Sequence, residues 1–128
     1  MKLLVDTCTF LWIASDSPRL SKTAAGAFLD QNNERYLSAA SAWEIGIKYA
    51  SGRLPLPERP DLLIPRIREA SGIAPLNIDE ESALHAARLP GLHSDPFDRM
   101  LIAQAVVHGM TILTPDPDIV QYAVRVLW

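Results

Sequence analysis

Several features that identify common classes of protein are missing from this chain. Cys8 is the single cysteine among 128 residues, which excludes an internal disulfide and a zinc site built on several thiolates. No apolar run reaches the ~18 residues that a membrane-spanning helix needs. Asp6 interrupts the apolar start of the chain before a signal-peptide core can form. We therefore expect a cytoplasmic protein that makes no contact with a membrane.

The glycine-rich sequences that hold nucleotide phosphates, GxxxxGK[ST] and GxGxxG, are also missing. The three histidines have no zinc-binding spacing. The net charge is −3, and the basic residues form no run. Charge therefore indicates a nucleic-acid partner only weakly, through a local basic rim. The candidates for such a rim are Lys48, Arg53, Arg66, Arg68 and Arg99.

What the chain does contain is the composition of an ordinary globular protein, with 48% apolar residues. Its length suits one domain of ~100–150 residues, so we expect a single domain over residues 1–128. Strand patterns alternate with helix patterns, which predicts an α/β fold: a mainly parallel, twisted sheet flanked by helices. The predicted strands are 2–5, 36–38, 73–78, 110–113 and 124–128, and the predicted helices are 7–15, 22–31, 42–51, 61–71, 80–88, 96–108 and 117–123.

Local signals predict where some helices begin. Ser41 is the expected N-cap of the helix over 42–51, and Pro65 is expected near the start of the regular part of the helix over 61–71. Gly46 lowers helix propensity, which predicts the close approach of another backbone. Other expected N-caps are Ser21, Asp79 and Asp95.

Acidic residues follow two of the predicted strands. Asp6 comes directly after strand 2–5, and Asp116 follows strand 110–113 after a short turn. In a parallel α/β sheet, ligands bind at the carboxyl edge of the strands. Carboxylates gathered there repel one another, and a hard cation such as Mg²⁺, which prefers oxygen ligands, relieves that repulsion. The pattern predicts a metal site and phosphoryl chemistry.

Each acid also has a purely structural interpretation. Asp6 and Asp116 each precede a predicted helix and suit an N-cap. Glu44 and Lys48 have the i,i+4 spacing of an exposed ion pair. Asp98 lies in the first turn of its helix, where a carboxylate complements the helix dipole. The acids are informative only jointly.

Four segments together resemble PIN-domain proteins, and specifically the VapC-type toxins of bacterial toxin–antitoxin pairs. The most specific of them contains Asp-Pro-Phe-Asp-Arg at 95–99. The segments cover most of the chain in order: Leu3–Thr7, Ser41–Lys48, His93–Ala105 and Leu113–Asp116.

The resemblance implies a PIN-like fold and metal-dependent cleavage of RNA with Mg²⁺ or Mn²⁺. It places the family's acidic quartet at Asp6, Glu44, Asp98 and Asp116, with Asp118 as an alternative for the last position. It also places hydroxyls near the acids, at Thr7, Ser41 and Thr114. Arg99 is expected either to contact the RNA backbone or to pair with an acid.

The resemblance further implies partners. A cognate antitoxin protein would lie across the site, and the helices over 7–15 and 22–31 would offer it an apolar groove unless they are core. VapC-like toxins usually form a homodimer, for which a two-fold contact is the commonest route.

Two other functions remain open at this stage. An acid-rich phosphotransfer domain of the receiver or phosphatase type also has an Asp after its first strand, although the phosphatase pattern needs a second Asp where Cys8 stands. A catalytically inactive α/β interaction module would use every acid as a cap. No role is assigned to Cys8. His93 is expected in a surface loop, with contact to the site as the alternative. The tryptophans are expected in the core or an interface rather than stacked on a base.

Overall fold

The computed structural model describes all 128 residues and contains one five-stranded sheet. Every strand pair is parallel, in the order β3-β2-β1-β4-β5. The predicted fold class is thereby confirmed. The strands are β1 (Lys2–Val5), β2 (Glu34–Ser38), β3 (Ile73–Leu76), β4 (Thr111–Leu113) and β5 (Val126–Leu127).

Helices connect these strands, as a parallel sheet requires. All the predicted helices are present, although the second and the last are shorter than predicted. No helix is both long and apolar enough to cross a membrane. The helices are α1 (Thr7–Ala14), α2 (Lys22–Leu29), α3 (Ala39–Ala50), α4 (Pro60–Ala70), α5 (Glu80–Arg88), α6 (Pro96–His108) and α7 (Pro117–Val120).

The central strand β1 fixes the edge at which the acids lie. Val5, its last residue, pairs with Leu37 of β2 and with Leu113 of β4, so the three strands end at the same level. Apolar clusters cover both faces of the sheet and hold this register. One cluster contains Val5, Phe10, Leu37, Ile45 and Leu113, and the other contains Leu4, Leu101, Ile102, Ile112 and Ile119.

The predicted cap of α3 is wrong. β2 runs directly into α3, and its last residue, Ser38, is the N-cap, with its Oγ accepting from Ala40 N at 3.0 Å. Ser41 lies inside the helix and is buried, so it is free to face the acidic edge.

Two further local predictions are also wrong. Pro60 begins α4 and Pro65 lies within it, because the carbonyl that the missing Pro65 N–H would have bonded belongs to the exposed first-turn residue Asp61. No backbone approaches Gly46, where an added Cβ would meet nothing within 4 Å. Trp43, on the same helix, is 64% exposed and therefore not a core residue.

Candidate metal centre

Asp6 serves as a helix cap and as a buried carboxylate at the same time. Its Oδ1 accepts from Thr9 N at 2.7 Å, which caps α1. Its Oδ2 accepts from the hydroxyl of Thr114, just beyond β4. The side chain lies at the carboxyl edge of the sheet and is only 5% exposed. The cap interpretation and the site interpretation are therefore compatible.

Glu44 is also buried, although its spacing from Lys48 suggested an exposed pair. Lys48 Nζ donates to Oε2 at 2.8 Å, and the Thr7 hydroxyl donates to Oε1 at 2.7 Å. The hydroxyls of Thr7 and Ser41 lie 3.0 Å apart. Because Thr7 has one hydroxyl proton, both contacts are satisfied when Ser41 donates to Thr7 and Thr7 donates to Glu44. α1 and α3 thus fix the Glu44 carboxylate jointly.

Asp98 stands in the first turn of α6, behind the true cap. Asp95 accepts from the backbone N–H groups of Phe97 and Asp98 at 2.8 and 3.2 Å. The Asp98 carboxylate is left free for His93, whose Nε2 lies 2.8 Å from Oδ2. His93 lies in the loop before α6, as predicted, but only 19% of its side chain is exposed and it contacts Asp98, which was the alternative. Its position in the most specific matching segment was the sequence signal.

Asp116, and not Asp118, is the acid whose charge acts on the other acids of the site. Its Oδ1 accepts from Asp118 N at 2.9 Å, which caps α7, and its own N–H donates to Thr114 Oγ1 at 3.1 Å. The charge of Asp116 contributes to the raised pKa values of both Asp6 and Asp98. Asp118 is largely exposed and lies 3.9 Å from His93 Nδ1.

Two of the acids, Asp6 and Asp98, have raised pKa values. Burial, the largest cause, and the charges of Asp95, Asp116 and Glu44 together raise the pKa of Asp98 to about 6, although the His93 hydrogen bond opposes them. Burial also raises the pKa of Asp6, more than its hydrogen bonds lower it. The hydrogen bond to Asp98 raises the pKa of His93. A cation at this edge would relieve the unfavourable ionisation of the acids.

The thiol pKa of Cys8, in the first turn of α1, also shows that several acids lie near one another. Burial, the largest cause, and the charges of Asp6, Glu44 and Asp98 together raise the pKa of its thiol to about 11, although Lys48 opposes them. Three carboxylates from separate elements therefore act on one small region. The thiol stays protonated at neutral pH, so it is a poor nucleophile and a poor metal ligand.

The oxygen atoms of the four acids do not form one tight group. His93, Asp95 and Asp98 are the one group of three residues whose potential metal-ligand atoms all lie within 4.8 Å of one another. This group does not include Asp6, Glu44 or Asp116. Each acid of the quartet instead accepts from a neighbouring donor. The donor set still fits Mg²⁺ or Mn²⁺, because it consists of carboxylate and hydroxyl oxygens on one edge.

The contacts of Arg99 do not match one of its two predicted roles, pairing with an acid, and its contact with RNA stays a prediction. Its guanidinium does not pair with a carboxylate and is turned toward backbone. It donates to the carbonyls of Ala86, Leu89, Pro90 and His93, and to the Tyr122 hydroxyl. Arg99 therefore holds the connection between α5 and α6, which carries His93.

The protein has an α/β fold, and its acidic site lies at the carboxyl ends of the central strands. The PIN domain family matches residues 3–125. The chain belongs to the PIN domain family.

Individual relatives agree with this assignment. Ribonuclease VapC16 of Mycobacterium tuberculosis (strain ATCC 25618 / H37Rv) is 43% identical over 56 residues, which are 44% of this chain. The match spans only 40% of that relative's length.

Solved structures share the fold over nearly the whole chain. VapBC2 from Rickettsia felis, solved bound to a DNA fragment from its promoter, has a TM-score of 0.74 at 14% identity and covers 98% of this chain and 97% of its own. VapBC-1 from nontypeable Haemophilus influenzae has a TM-score of 0.68 at 17% identity, with coverages of 98% and 96%.

Proposed function

We propose that this chain is a metal-dependent endoribonuclease and the toxin of a toxin–antitoxin pair. One observation carries the proposal: in a PIN-domain chain, acids from four separate segments lie near the carboxyl edge of the sheet, where the charge of Asp116 disfavours the ionisation of Asp6 and Asp98 and the charge of Glu44 disfavours that of Asp98. The proposed metal ligands are Asp6, Glu44, Asp98 and Asp116.

The chemistry follows from the donor set. A bound Mg²⁺ or Mn²⁺ supplies a water of lowered pKa and stabilises charge on the phosphate. The carboxylates of the buried Asp6 and the half-buried Asp98 would hold the ion, together with Asp116, whose charge acts on both. Glu44 would bind the ion or orient the attacking water. Its two oxygens accept from Thr7 and Lys48, which hold the carboxylate at the edge of the site.

Hydroxyl groups would keep the acids in place. Thr114 donates to Asp6, and the Ser41–Thr7 pair supports Glu44. Such supporting contacts typically contribute about 10–100-fold to metal affinity or activity. We propose that Thr7, Ser41 and Thr114 orient the acids, and that Arg99 acts from further away by holding the loop of His93.

Cleavage of RNA by the purified, partner-free chain tests the activity. Total RNA is incubated with Mg²⁺, with Mn²⁺ or with EDTA, and the new ends are mapped. The proposal expects defined cuts that need the ion and disappear in Asp6→Asn and Asp98→Asn. Asp30→Asn is the matched control, because Asp30 is an exposed acid at the end of α2. Cuts that persist in both site variants would refute the assignment, and binding of Mn²⁺ without cleavage would favour an inactive module.

The proposed partners are a cognate antitoxin protein and a second copy of the chain. The similarity to VapBC assemblies supports the first. A recess of about 210 Å³ between α1 and α2 agrees with the predicted groove; it is lined by Trp12, Ile13, Asp16, Ser17, Leu20, Ala25, Phe28 and Leu29. Expression of the chain alone should arrest growth, and expression of Asp98→Asn should not. In a separate test of the second partner, sedimentation should give the mass of a dimer.

A further inference from the structure

Trp43 is an exposed aromatic side chain with a defined orientation. It is 64% exposed, whereas Trp12 and Trp128 are partly buried against each other with ring centroids 5.7 Å apart. The Trp43 ring meets Phe97 edge to face, with centroids 5.4 Å apart and planes at 78°. This contact restrains the indole while leaving much of its surface to solvent.

The aromatic pair joins two helices that carry proposed metal ligands. Trp43 directly precedes Glu44 on α3, and Phe97 directly precedes Asp98 on α6. The two helices pack against each other, and the charge of Glu44 acts on Asp98. The exposed indole therefore lies at the rim of the acidic site.

The space beside the indole suits a neutral planar group. A recess of about 380 Å³ lies between α3 and α4. Its lining contains no basic residue, and its one charged residue, Asp61, is paired with the exposed Arg59 at 3.1 Å, so the recess carries little net charge. Gly46 leaves the recess open on the α3 side, since an added Cβ would meet nothing within 4 Å. The other lining residues are Ala42, Trp43, Pro60, Ile64 and Pro65.

We propose that Trp43 stacks against one unpaired base of the RNA, next to the phosphate that is cut, and that Phe97 holds the indole for this contact. The inference rests on the proposed nuclease function. Proteins read single-stranded RNA by stacking splayed bases on aromatic side chains, whereas a base inside a duplex has no free face. Trp43 is thus a substrate-positioning residue that makes the enzyme prefer unpaired RNA.

Binding and cleavage of a defined single strand test this role. The probes are a short single-stranded RNA that the enzyme cuts and an uncleavable analogue, in which a methylene group replaces the bridging oxygen that leaves the scissile phosphate. Trp43→Ala should raise the KM and the Kd of the analogue roughly 5- to 150-fold, the range that loss of one base stack produces. Trp43→Phe should restore most of the affinity. The matched control is Leu84→Ala, an exposed apolar residue on α5, which should change neither constant.

Further readouts separate stacking from other roles. Mn²⁺ affinity and sedimentation mass should be the same in Trp43→Ala and in the wild type. Removing one base of the analogue next to the cleavage site should abolish the difference between the two proteins. An active wild type with unchanged KM, Kd and cut sites in Trp43→Ala would overturn the stacking role and leave the nuclease function standing. A loss of dimer mass would overturn it too and would make this surface a contact between copies. A wild type that neither cuts nor binds either RNA would refute the nuclease function itself.

Discussion

Asp98 is the residue at which stability and function oppose each other most clearly. It is held near His93, Asp95, Glu44 and Asp116 rather than exposed on its helix. Its folded-state pKa of about 6 is above the ordinary value of 3.8, so the folded protein binds this proton more tightly than the unfolded chain does. The resulting penalty on folding is complete above about pH 6 and shrinks as the pH falls toward about 4.

Asp98→Asn removes this penalty and part of the contact with His93. The free energy of unfolding in EDTA at about pH 7.5 should be unchanged or higher by up to about 2 kcal/mol, after discounting for solvent screening. Urea unfolding at about pH 7.5 and about pH 5 measures the effect, which should be smaller at the lower pH. A loss of more than about 1 kcal/mol at neutral pH would mean that the ionised carboxylate stabilises the fold.

The choice between Asp116 and Asp118 is also decided by single residues. Asp116→Asn keeps a good N-cap for α7 but removes one charge from the acidic edge. We expect it to lower cleavage at least about 100-fold, beyond the range of residues that only support a ligand, with little change in stability. Asp118→Asn should cost less than about threefold, because that carboxylate is largely exposed. Reversed magnitudes in initial-rate assays would make Asp118 the fourth acid.

At the scale of the helix, one serine of the α3 region caps the helix and another supports the site. Ser38 caps the helix, whereas Ser41 reaches Thr7 and, through it, Glu44. Ser38→Ala should lower the free energy of unfolding by about 1–2 kcal/mol, as the loss of an N-cap does. Ser41→Ala should reduce cleavage about 10–100-fold while costing less stability. Urea unfolding in EDTA and initial rates of cleavage measure the two effects. If the two variants lost equal stability and equal activity, the roles would not be separate.

The connection between α5 and α6 depends on one side chain. Arg99 donates to several carbonyls of this connection at once, with the fork geometry that Lys lacks. Arg99→Lys should lower the free energy of unfolding by about 1.5–3 kcal/mol. Arg125→Lys is the control, because Arg125 is exposed and its side chain makes no hydrogen bond in the structure. If Arg99→Lys left stability unchanged and weakened RNA binding, the result would support the predicted contact of Arg99 with RNA instead.

For the whole molecule, the alternation of strands and helices is sufficient to predict the architecture. Buried strands and capped helices are local patterns, and parallel pairing then places Asp6 beside Thr114. The α3 cap was predicted wrongly because a strand that runs directly into a helix offers more than one serine. The contacts of His93 and Arg99 depend on how one loop packs, which no local pattern encodes.

The quartet itself shows where sequence reasoning stops. Sequence places four acids on one edge, but the hydrogen-bond partners of each side chain depend on tertiary packing. Here Asp6 faces Thr9 and Thr114, Glu44 faces Thr7 and Lys48, and Asp98 faces His93. A cation that binds here would have to displace at least some of these hydrogen bonds.

The position of a bound ion is the most direct test of the whole account. Anomalous scattering from a crystal soaked in Mn²⁺ locates the ion without reference to activity. We expect one or two peaks in contact with carboxylate oxygens of Asp6 and Asp98, and no such peak in Asp98→Asn crystals soaked in the same way. An ion bound only at His93 and Asp95, away from Asp6, would contradict the proposed centre, and so would no bound ion at this edge of the sheet.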